Sequence, residues 1–137
     1  MRKIEKIIMH CSDSPHGRGD DAAVIHDWHL DRGWNGIGYH YVILEDGEIQ
    51  NGRPECWIGS HVKGQNSKSI GICLIGKGEY TEEQVTSLLG LLTSLTSKYP
   101  ETEIYEHHYF NRAKGCPLFD VDMKKKISQT FGEKYIQ

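Results

Sequence analysis

The chain has 137 residues, 37% of them hydrophobic and 26% charged, which is typical of a single soluble globular domain. Its net charge of −3 leaves no excess of Lys and Arg, so we expect no nucleic-acid-binding surface. No stretch reaches the roughly 18 consecutive apolar residues of a membrane span, and the first ten residues are too short and too charged for a signal peptide. We therefore expect one domain over residues 1–137, monomeric and without a membrane partner.

The first predicted elements are a strand and a helix. Residues 4–9 are apolar and rich in β-branched side chains, which predicts a buried strand that ends at His10. A loop rich in Ser, Asp and Gly follows, and Asp20 or Asp21 can cap a helix that runs to about Arg32. One face of this helix carries apolar and aromatic side chains: Val24, Ile25, Trp28 and His29.

A hairpin and a second buried strand come next. Residues 39–44 and 48–51 flank Asp46-Gly47, a pair that suits the positive backbone angles of a tight hairpin turn. Residues 70–75 form another apolar run, and Cys73 within it is best explained as a core thiol. With no CxxC pair and no signal peptide, all four cysteines are expected to be thiols.

The last third of the chain completes the α/β pattern. Thr81 and Gln84 predict a capping box, followed by a helix that buries residues spaced three and four apart: Val85, Leu88, Leu89, Leu92 and Leu95. Residues 103–106 predict a strand that ends at His107, and residues 120–131 a final helix. Strands alternate with helices, so the class is α/β, with a central sheet made mixed by the hairpin and flanked by helices.

Two histidines and a cysteine are candidate metal ligands. His10 and His107 each end a predicted strand, and Cys116 lies in a Gly- and Pro-bearing loop nine residues after His107. Two imidazoles and one thiolate leave the fourth tetrahedral position open, which is typical of a catalytic zinc site. Spacing alone cannot join three distant segments, and a histidine at a strand end is often simply a polar residue satisfied within the fold.

Short motifs run in order along almost the whole chain: residues 7–12 (IIMHCS), Trp28-His29, Gly33-Trp34, 38–43 (GYHYVI), Asp46-Gly47, 59–64 (GSHVKG), 69–74 (SIGICL), 114–117 (KGCP) and Phe119-Asp120. In order and spacing they resemble the phage-type N-acetylmuramoyl-L-alanine amidases, the T-seven lysozyme-like group, which share a superfamily and fold with the peptidoglycan recognition proteins.

The resemblance implies a zinc hydrolase that cleaves the amide bond between N-acetylmuramic acid and L-alanine in peptidoglycan. Its ligands would be His10, the cysteine of Lys-x-Cys-Pro (Cys116) and His107, with His108 as an alternative second imidazole, holding one Zn²⁺ per chain. Relatives commonly carry a small residue before the second ligand, where this chain has Glu106. That carboxylate could contact a ligand imidazole or face water, and we expect it to face water.

The resemblance also implies the catalytic and binding residues. Tyr39, in Gly-Tyr-His, and Lys114, two residues before the ligand cysteine, would act on the transition state, with the division of roles between them open. His61 in Gly-Ser-His is a candidate substrate contact, and Trp57 with Asn66 could line the sugar-peptide groove.

The remaining candidates are given no metal or catalytic role. Cys11 should point to the opposite face of its strand from His10 and is not counted as a ligand. The other histidines are expected to be structural or at the surface: His16, His26, His29 and His40.

The biological setting that this resemblance favours is a phage or prophage endolysin, held in the cytoplasm until a holin opens the membrane; a bacterial wall-recycling or toxin role is the alternative. Two other functions remain open. One is a non-catalytic peptidoglycan-binding module, although such proteins typically lack the ligand cysteine. The other is binding of a phage RNA polymerase, which the T-seven relative does as well as cutting wall.

Overall fold

The computed structural model describes residues 2–137. It contains five strands: β1 (Lys6–Cys11), β2 (Tyr41–Ile43), β3 (Ile49–Asn51), β4 (Ser69–Leu74) and β5 (Glu103–Glu106). It contains three α-helices: α1 (Ala22–Asp31), α2 (Glu82–Lys98) and α3 (Val121–Phe131). None of the helices in this described range is long and apolar enough to cross a membrane.

The strands form one mixed sheet in the order β3-β2-β4-β1-β5, so the predicted α/β class is confirmed. β3 runs antiparallel to β2 through the predicted Asp46-Gly47 hairpin, and the other neighbours are parallel. Met9 pairs with Glu106 across β1 and β5, which puts His10 and His107 side by side where these strands end. The topology therefore creates the convergence of strand ends that the sequence could only suggest.

The two faces of the sheet are covered unequally. α2 and α3 pack on one face and bury the larger part of the core, including Leu88, Leu92, Met123 and Ile127. α1 packs through Ile25 against Val42, Cys73 and Ile75 on the other face. Elsewhere on that face, the loop residues Val62 and Phe110 pack against Ile8 and Tyr105, and a cleft lies beside the end of β1.

Local sequence explains most element boundaries. The Thr81–Gln84 capping box is present at the start of α2, and Asp21 and Asp120 cap α1 and α3 by accepting backbone N–H bonds. β1 continues one residue beyond its predicted end at His10, because Cys11 still pairs with Leu74 of β4.

Candidate active site

The structure brings His10, His107 and Cys116 together at the carboxyl end of β1 and β5. Their potential ligand atoms all lie within 4.8 Å of one another, and the Nδ1 atoms of His10 and His107 are 3.1 Å apart. Two imidazole nitrogens on a tetrahedral zinc, with bonds of about 2.0–2.1 Å, would be roughly 3.4 Å apart. The donor set and its spacing therefore fit a zinc ion with an open fourth position.

Both imidazoles are in the form that binds a metal. Burial lowers the pKa of His10 well below its ordinary value, and the neighbouring His61 and His107 rings lower it further. Burial likewise lowers the pKa of His107, with a further contribution from the charge of Lys114. At neutral pH both rings are therefore neutral and can offer a lone pair.

Cys116 is held by the end of β1. The backbone N–H of Cys11 donates to Cys116 Sγ at 2.6 Å, and the Cys116 carbonyl accepts from His108 N at 3.1 Å. The adjoining Cys11 thiol and burial both raise the pKa of Cys116, so metal binding would release its proton. Within the described chain, Cys11 is outside the group of potential ligands, although its thiol adjoins Cys116 and it lines the same cleft.

The structure distinguishes His107 from His108. The His107 ring lies 4.5 Å from the His10 ring, centroid to centroid, at the start of a 3₁₀ turn that spans His107–Tyr109. The ring of His108, the next residue in that turn, contacts Glu106 instead: its Nε2 lies 3.3 Å from Glu106 Oε1. His107, and not His108, thus belongs with His10 to the group of potential ligands.

Glu106 does not face water, so that expectation is wrong. Its side chain is buried, accepts a hydrogen bond from the Tyr135 hydroxyl at 2.7 Å and lies 3.6 Å from Lys124 Nζ. The reason is that α3 and the C-terminal tail cover this edge of the sheet, where Ile104 bridges to Tyr135, and they supply the partners a buried carboxylate needs.

Tyr39 and Lys114 both line the cleft of ≈ 490 Å³ that opens over the His/His/Cys group. The Tyr39 ring lies 5.0 Å from the His10 ring, and burial raises the pKa of its hydroxyl, which therefore keeps its proton as a hydrogen-bond donor. Lys114 is exposed on the loop before Cys116. The two residues named for catalysis thus sit at the same cleft as the candidate metal ligands.

The cleft is also lined by residues that were not predicted to be functional, among them His29, Arg32 and Trp34. The His29 ring packs against the Trp34 and Tyr39 rings at 4.5 and 5.5 Å, and its Nδ1 accepts from Gly38 N. Two of the matching motifs contain His29 and Trp34, and this was the sequence information that could have found them.

The three residues proposed for substrate binding are placed differently from one another. His61 borders the cleft, but both of its ring nitrogens have partners inside the protein, His10 and Ser69. Asn66 Oδ1 accepts from the backbone N–H groups of His61 and Val62 and so fixes their loop. Trp57 is 60% exposed and borders a different groove, beside α1. In the described structure neither Asn66 nor Trp57 borders the cleft.

A mixed five-stranded sheet with two histidines and a cysteine at its edge, open to a cleft with a tyrosine and a lysine, defines the class of amidases that share the fold of peptidoglycan recognition proteins. Two solved structures match it. An endolysin N-acetylmuramoyl-L-alanine amidase, LysCS from Clostridium intestinale, has a TM-score of 0.82 at 33% identity, covering 93% of this chain and 85% of its own. Drosophila PGRP-LB has a TM-score of 0.77 at 26% identity, covering 99% and 85%.

Sequence comparison gives the family. The N-acetylmuramoyl-L-alanine amidase family model matches residues 1–118. The endolysin of Escherichia phage T7 is 38% identical over 125 residues, which cover 85% of this chain and 82% of that protein. The chain therefore belongs to the N-acetylmuramoyl-L-alanine amidase family and is an endolysin-type hydrolase of peptidoglycan.

Proposed function

We propose that the chain hydrolyses the N-acetylmuramoyl-L-alanine bond with one zinc ion held by His10, His107 and Cys116. The observation that carries the zinc assignment is the grouping of two neutral imidazoles and a thiol, within 4.8 Å of one another, at the wall of an open cleft. A closed structural site would need a fourth protein ligand, and the fourth side of this group faces the cleft.

Amide hydrolysis needs a nucleophile, stabilisation of the developing oxyanion and a proton for the leaving nitrogen. Bound zinc would supply an activated water and polarise the scissile carbonyl. The protonated Tyr39 hydroxyl can donate a hydrogen bond to the carbonyl oxygen or pass a proton onward. Lys114 brings a full positive charge to the same cleft, where it can stabilise negative charge as it forms.

The substrate is peptidoglycan, and we propose that this chain, like the phage endolysins it is similar to, acts on it after release to the cell wall. Cleavage of stem peptides from the glycan is the reaction that the proposed site performs. The predicted polymerase partner and the monomeric state stay predictions.

Digestion of purified cell wall, followed by mass spectrometry of the soluble fragments, tests the proposal. We expect new L-alanine amino termini without new reducing sugar ends. Cys116→Ser should lose most zinc and nearly all cleavage, because a neutral hydroxyl is a much poorer zinc ligand than a thiolate. The matched control is Cys56→Ser, which alters an exposed cysteine outside the cleft and should retain both.

Two results would contradict the proposal. New reducing ends would show that a glycosidic bond is cut, and cleavage by zinc-free Cys116→Ser at the wild-type rate would show that this thiol holds no catalytic metal.

A further inference from the structure

His61 makes short contacts through both nitrogens of its ring. Its Nδ1 lies 2.8 Å from His10 Nε2, and the two rings meet edge to face with centroids 4.9 Å apart. Its Nε2 lies 3.1 Å from the hydroxyl oxygen of Ser69, a residue fully buried at the start of β4. The polar atoms of the ring are thus engaged within the protein, and none is left for a substrate.

If His10 binds a metal, the hydrogen bonds from His10 through His61 to Ser69 can run in only one direction. The nitrogen of His10 that faces His107 is Nδ1, so Nδ1 must carry the free lone pair and Nε2 must carry the hydrogen. That N–H then donates to His61 Nδ1. With Nδ1 accepting, His61 carries its own hydrogen on Nε2 and donates it to the Ser69 hydroxyl oxygen.

The His61 ring is tightly packed against the backbone of its neighbours. A Cβ atom at Gly59 or at Gly71 would lie 2.8 Å from an atom of the His61 ring, so glycine at these two positions makes room for it. The backbone N–H of His61 donates to Asn66 Oδ1 at 2.9 Å, which anchors the loop that carries the ring. Side chain and backbone are therefore both held in place.

We propose that His61 is a positioning residue for the metal centre: it holds the His10 ring in the Nε2-protonated tautomer and in the orientation that presents Nδ1 beside His107. This inference rests on the proposed zinc function and replaces the predicted role of His61 as a substrate contact. Partners of this kind typically contribute about 10- to 100-fold to metal affinity.

Two substitutions separate positioning from simple packing. His61→Leu fills much of the space but removes the acceptor for His10. His61→Asn keeps an acceptor, because its side-chain oxygen can take the place of Nδ1. Zinc affinity, measured by competition with a chromophoric chelator, should fall roughly 10- to 100-fold in His61→Leu and only a few-fold in His61→Asn.

The second readout needs neither zinc nor activity. Nitrogen-15 NMR of histidine-labelled, zinc-free protein reports which ring nitrogen of His10 is protonated. The wild type and His61→Asn should show the Nε2-protonated tautomer, and His61→Leu a mixture of the two. Should His61→Leu fail to fold, Ser69→Ala tests the other end of these hydrogen bonds and should give a smaller shift in the same direction.

Three outcomes would overturn the proposal. One is unchanged zinc affinity and tautomer in His61→Leu. Another is an equal loss of zinc affinity in the asparagine and leucine variants. The third is a raised KM for wall fragments in His61→Leu with unchanged zinc affinity, which would indicate that His61 contacts the substrate. A wild-type protein that binds no zinc would refute the proposed function instead, and the tautomer measurement on the metal-free protein would still decide whether His61 orients His10.

Discussion

Alanine substitutions at His107 and His108 test the proposed ligand set most sharply, because the residues are adjacent and chemically identical. His107 Nδ1 lies 3.1 Å from His10 Nδ1, whereas His108 Nε2 faces Glu106 at 3.3 Å. His107→Ala should therefore lose zinc and cleavage together. His108→Ala should retain both and lose only a little stability.

The structure sets the size of each effect. The free energy of zinc binding is about 10–16 kcal/mol for sites with four protein ligands, or roughly 2.5–4 kcal/mol per ligand. His107→Ala should therefore lower the zinc affinity roughly 100- to 1,000-fold. His108→Ala removes a contact from a side chain that is 28% exposed, and Glu106 keeps its contacts with Tyr135 and Lys124. That loss is worth at most about 1 kcal/mol, or roughly 2–5 °C in Tm.

Zinc affinity by chelator competition, wall hydrolysis and Tm should be measured on the same preparations of both variants. The reasoning is refuted if His108→Ala loses zinc and His107→Ala retains it, or if both retain wild-type affinity. A loss of zinc in both variants with unchanged Tm would also contradict it, because nothing in the described contacts of His108 connects its ring to the metal group.

Three further predictions follow from individual contacts. Tyr39→Phe and Lys114→Ala should keep zinc and lose roughly 100- to 1,000-fold in turnover, Lys114→Ala more, because both are assigned to the transition state; near-wild-type turnover in both would refute this. Tyr135→Phe removes the hydroxyl bound to buried Glu106 at 2.7 Å and should cost about 1.5–3 kcal/mol in urea unfolding, whereas an unchanged midpoint would contradict the contact. Burial lowers the pKa of His40 to about 4, below its unfolded value of about 6.5. As the pH falls from about 6.5 to about 4, the unfolded state therefore binds the proton first, and the free energy of unfolding decreases by up to about 3 kcal/mol. His40→Asn, which can still accept from Gly71 N, should remove the part of that dependence that His40 contributes, in unfolding measurements at pH 7 and 4.5.

The fold was largely predictable because its determinants are local. The capping box at Thr81 and Gln84, the Asp46-Gly47 turn and the three-and-four spacing of the leucines in α2 each act within a few residues. Element class and order followed from them. The strand order did not, because pairing of β1 with β4 and β5 joins segments far apart in sequence.

The site was predictable only in part for the same reason. Strand-end positions suggested His10 and His107, but only the resemblance joined them to Cys116, because their meeting depends on the parallel pairing of β1 and β5. The burial of Glu106 escaped prediction since its partner Tyr135 lies 29 residues further along the chain.

The metal content of active protein tests the central claim most directly. Zinc per chain should be measured by elemental analysis after mild dialysis, on a preparation whose wall-cleaving activity is assayed in parallel. We expect about one zinc per chain, loss of activity on chelation, and recovery on adding zinc. Full activity in protein that holds almost no zinc would contradict the assignment of His10, His107 and Cys116 as a catalytic metal site.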